Sequence, residues 1–455
     1  MLQNSKDTIV AIASGKGRGG IGVVRISGFD LNPYIDGLLD KHIKPRKACY
    51  RKFLDFDGAS LDEGVAIFFP APNSFTGESV LELQGHGGIV ILDAIVQRCI
   101  QLGARAARPG EFTERAFLND KMDLTQAEAI ADLIDASSLE AARSAVRSMQ
   151  GEFSLIVNEL VEQIVQIRMY VEAAIDFPEE EIDFLQNETL LSNLDNLKER
   201  LNLALGSARQ GSLLKDGLTI VLAGKPNAGK SSLLNALARN DAAIVTPIPG
   251  TTRDVLREKI VIDGLPLNII DTAGLRQSDD LVEKEGVKRA WREIETADQI
   301  LFLVDSSESS DSDLNTVWPE FTEKFPESQQ PIILLLNKID ISGLPAGRVN
   351  DKSNSFAISA TLKSGFDDLI AHLHSSSGFL ASSEGVFSAR RRHLASLESA
   401  LGLVSTGIEQ LRGSGAGELL AEDLRHAQNA LSEITGQFSS DDLLGRIFSS
   451  FCIGK

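Results

Sequence analysis

The sequence predicts a multidomain protein: an α+β domain, then a discontinuous all-α helical domain with an α/β domain inserted into it. Three observations carry this. Short β-like runs separated by Gly and Pro turns fill residues 1–118 around one helix-like run, Ile89–Leu102. Helical apolar periodicity occupies two separate stretches, residues 119–215 and 379–455. Residues 216–378 between them alternate strands and helices, as a doubly wound α/β domain does. A chain of 455 residues accommodates such a plan, since domains take about 100–200 residues each.

Within residues 1–118, Thr8–Ala13, Gly22–Ile26, Gly64–Phe69 and Val80–Gln84 read as strands. Gly15 to Gly20 has the GxGxxG spacing, but Ile21–Ile26 behind it is β-like where a dinucleotide-binding unit needs a helix. The segment is therefore expected to be a turn. From Gln126 to Ala174 the chain is rich in helix formers, and Ile156, Leu160, Ile164, Ile167 and Val171 recur on one helix face. Phe177-Pro178 interrupts it, and the acidic residues 179–183 read as a solvated turn. Leu394, Leu397, Leu401, Val404, Ile408 and Leu411 form a later stripe, and Leu420, Leu424, Ala427, Leu431 and Ile434 another, with a break at 413–417. Apolar stripes need cover, so the helical stretches are expected to pack together.

Composition narrows the class. Hydrophobic residues make up 43% and charged residues 24%, which fits a globular chain and not a disordered one. No apolar run reaches the ~18 residues of a membrane span, and no secretory h-region is present near Met1. The three cysteines, Cys49, Cys99 and Cys452, form neither a disulfide framework nor a CxxC metal site. A cytoplasmic location is expected. The net charge of −19 argues against non-specific nucleic-acid binding.

The α/β region carries the chemistry. Residues 224–231 (GKPNAGKS) match GxxxxGK[ST] between a β-like run, Leu218–Ala223, and a helix start. Loop N–H groups of Asn227, Ala228, Gly229 and Ser232 at a helix N-terminus can cradle phosphate oxygens. Lys230 should reach the β- and γ-phosphates, and the Ser231 hydroxyl should ligate Mg²⁺. Asp271-Thr272-Ala273-Gly274 follows the strand Leu267–Ile270, so its carboxylate can hold Mg²⁺ through water and the Gly274 N–H can meet the γ-phosphate. Asn337-Lys338-Ile339-Asp340 follows Ile332–Leu336, and Asp340 can accept hydrogen bonds from guanine N1–H and the 2-amino group, donors that adenine lacks. Ser359-Ala360 can offer N–H groups to guanine O6. Each segment ends a strand, where open α/β sheets bind ligands. The four segments together predict GTP binding and hydrolysis.

Leu275 stands where small GTPases carry a water-orienting glutamine. Another group must take that role, and Glu283, Glu285 and Asp279 all lie close in sequence. Arg253 and Arg276 flank the site, as functional or as surface arginines. Cys452 near the terminus is either a reactive thiol or an incidental one. Arg390 to His393 is the densest basic run, a nucleic-acid phosphate contact or a solvated helix end.

Residues 224–232 (GKPNAGKSS), Gly250–Asp254 (GTTRD) and Asp271–Arg276 (DTAGLR) resemble the MnmE (TrmE) family of tRNA-modification GTPases, of the TRAFAC class. So do Ser74–Glu78, Leu83–Gly88, Arg108–Phe112, Ala116–Asn119, Gln126–Ser138 and Cys452–Lys455, so the likeness runs the length of the chain. The resemblance implies a folate-binding-like N-terminal domain (1–118), a helical domain in two parts (119–215 and 379–455) and a Ras-like G domain (216–378). It implies K⁺ held by Asn227, Thr246, Ile248 and Thr251, Mg²⁺ held by Ser231 and Thr252, and Thr246, Thr251 and Thr252 around GTP. Glu283 becomes the catalytic glutamate, which separates it from its two rivals. Arg25, Glu82, Lys121 and Lys455 become contacts for a tetrahydrofolate derivative (5-formyl or 5,10-methylene), and Cys452 a participant in the modification chemistry. The resemblance further implies a homodimer that joins the FAD-dependent protein MnmG, as a heterotetramer, to add a carboxymethylaminomethyl or aminomethyl group to the wobble uridine of certain tRNAs. The alternative reading is a regulatory GTPase switch in ribosome assembly, sharing only the G domain. A folate-dependent transferase acting alone is disfavoured, because the chain carries no flavin motif.

Overall fold

The computed structural model describes residues 7–15, 17–176, 188–238, 256–271, 281–309, 311, 313–325, 331–350, 354–379, 385–437 and 441–454. The chain forms two compact units. One contains Met1–Ala131, Ser148–Leu201 and Ser396–Lys455; the other contains Asp132–Arg147 and Asn202–Ala395.

The first unit opens with β1 (Ile9–Ile12), β2 (Gly19–Gly28), α1 (Asn32–Leu38), β3 (Cys49–Leu54), β4 (Ser60–Phe69), β5 (Ser79–Gly87), α2 (Ile89–Gln101), β6 (Arg105–Ala106) and α3 (Glu111–Leu118). The six strands make one sheet in the order β3-β4-β5-β2-β1-β6. All its pairs are antiparallel except β1 with β6. The GxGxxG segment thus leads into a strand. Val24, Ile26, Leu81 and Leu83 point to one face at the two-residue period of a strand and are covered by Ile35, Leu38, Ile95 and Cys99 of α1 and α2. Sequence patterning missed β3 and α1. In β3 only Phe53 is fully buried among exposed Tyr50 and Lys52, so alternation there is faint.

Four helices follow: α4 (Leu124–Ile134), α5 (Leu139–Met149), α6 (Glu152–Asp176) and α7 (Glu188–Asp216). The run rich in helix formers from Gln126 to Ala174 therefore divides among three helices. Ser138 caps α5 by accepting from the N–H of Ala141, and Gly151, at φ +90°, turns the chain into α6. On α6, Val157 takes the inner position with Leu160, Ile164, Ile167 and Val171, and Ile156 is only half-buried.

The second unit holds β7 (Leu218–Gly224), α8 (Lys230–Ala238), β8 (Leu256–Ile262), β9 (Leu265–Asp271), α9 (Leu281–Thr296), β10 (Gln299–Asp305), α10 (Leu314–Val317), α11 (Pro319–Lys324), β11 (Ile332–Asn337), α12 (Ile339–Ser342), β12 (Gly347–Arg348), β13 (Ser355–Ile358) and α13 (Phe366–Ser377). The sheet order is β12-β13-β11-β10-β7-β9-β8, with five parallel strands between the antiparallel β8 and β12. One face packs Leu222, Leu303 and Leu335 against α8 and α13. The other packs Val221, Phe302 and Leu336 against Ile294, Trp318 and Phe321. Burial on both faces explains the nearly unbroken apolar strands. It also brings the C-terminal ends of β7, β9, β10, β11 and β13 to one edge.

Three helices complete the chain among the described residues: α14 (Arg391–Ser414), α15 (Gly417–Thr435) and α16 (Asp441–Ser449). Leu420, Leu424, Ala427, Leu431 and Ile434 of α15 are all buried, and α15 packs along α6, where Arg168 donates to Gln428 at 2.5 Å. Helices from both sides of the α/β segment therefore share one core. On α14, Leu397, Ala400, Val404, Ile408 and Leu411 are buried, while Leu394 and Leu401 are half-buried. Ile447, Phe448 and Phe451 close against Leu124 and Ala127 of α4. Among the described residues no helix is long and apolar enough to cross a membrane.

Candidate active site

The loop between β7 and α8 is shaped by backbone that side chains rarely adopt. Gly224 (φ +140°) lies against the Leu303 carbonyl and Gly229 (φ +101°) against the Asn337 amide, so a Cβ at either would collide. Asn227 takes a left-handed φ of +65° and is exposed, as are Ser231 and Ser232 at the start of α8. Lys230 turns back over the loop, and its ammonium donates to the carbonyls of Gly224 at 2.8 Å and Lys225 at 3.2 Å. Burial lowers the Lys230 pKa, partly offset by the charge of Asp271. Asp271 ends β9. Burial raises its pKa, against the pull of Lys230. Its Oδ1 is buried with no hydrogen-bond partner among the described residues, an acceptor suited to a hydrated cation.

Asn337 ties the segment that begins with it to this loop. Its amide donates to Ala228 O at 2.8 Å and accepts from the Ala360 N–H at 3.1 Å. The Ser359 hydroxyl donates to Asp340 Oδ1 at 2.6 Å, which leaves the other carboxylate oxygen of Asp340 unengaged by Ser359. Lys338 takes φ +69° and places its ammonium 2.5 Å from Asp305 Oδ2. The structure thus gathers Asn227, Ala228, Gly229, Lys230, Ser231, Ser232, Asp271, Asn337, Lys338, Asp340, Ser359 and Ala360 at one sheet edge.

A second constellation lies in the first unit. Arg25 of β2 makes a two-pronged contact with Glu82 of β5, Nε at 3.0 Å and Nη2 at 2.9 Å from Oε1. Its guanidinium lies 5.4 Å from the ring centre of Phe75 and 5.8 Å from that of Phe112. Phe112 is held by α3, and α3 is pinned by a buried charge network. Arg115 meets Glu78 at 3.0 Å, Glu111 at 3.1 Å and Asp7 at 2.9 Å, while Arg105 meets Glu111 at 2.6 Å. Burial alone would raise the Glu111 pKa, but Arg105, the Arg108 N–H and Arg115 outweigh it and hold the carboxyl at about 2. Lys121 donates to Pro72 O at 3.1 Å, in the loop between β4 and β5 that carries Phe75.

The C-terminal tail reaches this constellation. Cys452 O accepts from the Gly110 N–H at 3.3 Å, and Ile453 bridges Pro109. Gly454 (φ +95°) presses on the Ile12 carbonyl so closely that a Cβ would collide with it. Ile12 and Ala11 pair with Val24 and Arg25 across the β1–β2 ladder, so the tail lies beside the Arg25 strand position. Cys452 is exposed and its thiol is free.

Residues 8–121 match the family described as GTP-binding protein TrmE N-terminus, and residues 124–452 match the MnmE helical domain. The tRNA modification GTPase MnmE of Chromohalobacter salexigens is 57% identical over 453 residues, covering 99% of this chain and 98% of that protein. The chain belongs to the MnmE family. The MnmE of Saccharophagus degradans is 56% identical over 457 residues and all of both chains, and that of Yersinia pestis bv. Antiqua is 57% identical over 454 residues, 99% of this chain and all of that one. The protein is a GTPase of tRNA modification.

Several MnmE-like positions lie outside the described residues: Thr246, Ile248, Thr251, Thr252, Thr272, Ala273, Gly274 and Lys455, with Arg253, Leu275, Arg276, Asp279 and the acidic segment 179–183. Glu283 and Glu285 stand on α9, but their side chains are outside the description. His86 is exposed and held by Asp62 at 2.7 Å. The basic run is not one charged face: Arg390 pairs with Asp132 at 2.8 Å and His393 is buried. Motif reading missed Asp305, Phe75 and Phe112 as members of these two sites. Phe75 and Phe112 do sit inside the segments 74–78 and 108–112 that carry the family likeness. The signal at Asp305 is a carboxylate followed by two serines at the end of an apolar strand.

Proposed function

We propose that this MnmE-family GTPase is K⁺-activated and works as a homodimer with the flavoprotein MnmG. Together they add a carboxymethylaminomethyl or aminomethyl group to C5 of the wobble uridine of certain tRNAs. The observation that carries this reading is the seating of Cys452 to Gly454 on β1, beside Arg25 and Glu82. A regulatory switch sharing only the G domain has no use for such an arrangement.

The residues suit the groups they would hold. Asp271, with its orphaned oxygen, would meet Mg²⁺ through water, beside Ser231 and Thr252 as direct ligands. The left-handed, exposed Asn227 offers an oxygen ligand for K⁺, with Thr246, Ile248 and Thr251 completing the set. A cation there supplies the charge compensation at the phosphates that an arginine finger supplies elsewhere. Lys230 neutralises phosphate charge, Gly229 and Ser231 donate backbone N–H groups, and Asp340 reads guanine. Glu283 orients or deprotonates the attacking water, since Leu275 cannot. In the first unit Arg25, Glu82, Lys121 and Lys455 would hold a tetrahydrofolate derivative, which supplies the one-carbon unit when bound. The Phe75 and Phe112 rings make Arg25 an oriented donor there, and Cys452 contributes an exposed thiol at the same edge.

The test is nucleoside mass spectrometry of tRNA from cells lacking this gene and cells complemented with it. Loss of the C5-modified uridine and its return on complementation support the reading. Unchanged wobble uridine together with GTP-dependent ribosome co-sedimentation would replace it with the ribosome-assembly switch.

A further inference from the structure

We propose that Asp305 is a positioning residue for guanine binding: its carboxylate anchors the Lys338 ammonium and so sets the path of the lysine stem beside the base. This rests on the reading that Asn337 to Asp340 form the guanine-binding segment.

The parallel ladder of β10 and β11 places Asp305 directly opposite Asn337. The next residue ties the strand ends together, with the Ser306 N–H donating to Asn337 O at 2.9 Å. The two carboxylate oxygens of Asp305 are divided between tasks. Oδ1 accepts from the Ser307 N–H at 3.0 Å and from the Ser307 hydroxyl at 2.6 Å. That leaves Oδ2 aimed at Lys338 Nζ, 2.5 Å away. The Lys338 contact and the Ser307 bonds hold the Asp305 carboxyl below the usual carboxylate range.

The pair does not serve to hold the backbone, which has its own links. Asn337 is fixed by Ala228 and Ala360, and α12 by the Ser306–Ser342 hydroxyl contact at 2.8 Å. What the pair adds is an address for a side chain with four rotatable bonds, whose freedom is otherwise lost only on binding. The Lys338 side chain is 30% exposed and that of Asp305 13%, so solvent screens the contact less than it would a surface pair. The left-handed backbone at Lys338 starts its stem from the turn between Asn337 and Asp340, the segment that reads the base. Anchoring its charge at Asp305 leaves methylene groups, not a mobile ammonium, to flank a planar ring.

The experiment measures binding of fluorescent GDP and GTP analogues to the full chain. Asp305→Asn should weaken both about tenfold, chiefly through faster release, because a pre-ordered side chain slows dissociation. The loss should be the same with and without Mg²⁺, since the phosphate side is untouched. Lys338→Met, which keeps the stem and removes the charge, should weaken binding similarly, and adding Asp305→Asn to it should change affinity less than about twofold, as coupled residues do. Asp305→Asn within about twofold of wild type, or equally damaging in the Lys338→Met background, overturns the proposal. If Asp305→Asn does not fold, Lys338→Met decides alone: unchanged GDP affinity overturns it. Asp340→Asn tests the underlying reading separately, since a variant that still prefers guanine to xanthine nucleotide would remove the base site and this inference with it.

Discussion

The side-chain amide of Asn337 donates to the carbonyl oxygen of Ala228 at 2.8 Å, across 109 positions of sequence. One buried side chain therefore spaces the segment proposed to read the base from the loop proposed to hold the phosphates. Asn337→Ala would strand both the Ala228 carbonyl and the Ala360 N–H, at about 1–3 kcal/mol for each unsatisfied group. The expected result is GTP affinity lowered at least about tenfold, with a lower melting temperature of the nucleotide-free chain. Calorimetric titration and thermal unfolding check it; a variant unchanged in both would show the link to be idle.

Glu283→Ala should slow GTP hydrolysis by about a hundredfold or more, the usual loss when a group acting on the attacking water is removed. GTP affinity should stay close to wild type. Single-turnover hydrolysis and equilibrium binding separate the two quantities, and a parallel fall in both would make Glu283 a binding or structural residue.

Hydrolysis should rise by about tenfold or more when Na⁺ is replaced by K⁺ at constant ionic strength, as compensation of phosphate charge requires. Asn227→Ala should abolish most of that difference. Equal rates in the two salts for the wild-type chain would remove Asn227 as a K⁺ ligand.

Gly454→Ala introduces a Cβ against the Ile12 carbonyl at φ +95°, a conformation that costs L-residues about 1–2 kcal/mol even without the collision. The tail should leave β1. Modified wobble uridine should fall in a complementation assay, while GTP hydrolysis by the purified chain stays at the wild-type rate. Full modification with this variant would detach the tail from the chemistry.

The buried network on α3 predicts an acid limb of stability. Glu111 has its carboxyl lowered from an ordinary 4.5 to about 2. A depressed carboxylate stabilises the fold fully above its unfolded pKa, and that stability drains away as pH falls from about 4.5 through 2, up to about 3 kcal/mol in all. Glu114 has its pKa raised by burial and works in the opposite sense, favouring folding as pH falls. Urea midpoints at about pH 6 and pH 3.5 should therefore differ more for wild type than for Glu111→Gln. The same acid dependence in both would place the loss elsewhere.

Much of the α/β unit is legible in the sequence because its signals are local. An apolar strand buried on both faces, a glycine-shaped turn and a carboxylate or amide at the strand's end lie within a few residues of one another. The helical stripes are equally local, and Leu420 to Ile434 read correctly. Where periodicity is diluted, reading falters: β3 has one fully buried residue, and Val157 displaces Ile156 because a three- or four-residue step back from Leu160 admits either. The first unit's site is less legible still. Arg25 and Glu82 come from two strands, Phe75 from the loop between β4 and β5 and Phe112 from a helix, and no spacing rule connects them.

By itself, the sequence determined the phosphate-loop and guanine-type motif segments, their order, and the family to which the whole chain belongs. All of these follow from short-range patterns in residue type. Only the tertiary structure decided that α15 and α6 share one helical core although the α/β segment separates them in sequence, that the Cys452 tail lies on β1 beside Arg25, and that Asp305 holds Lys338. Such pairings join residues distant in the chain. Strand register and the burial of apolar faces select them, and a one-residue slip in any ladder would send the same side chains to the opposite face.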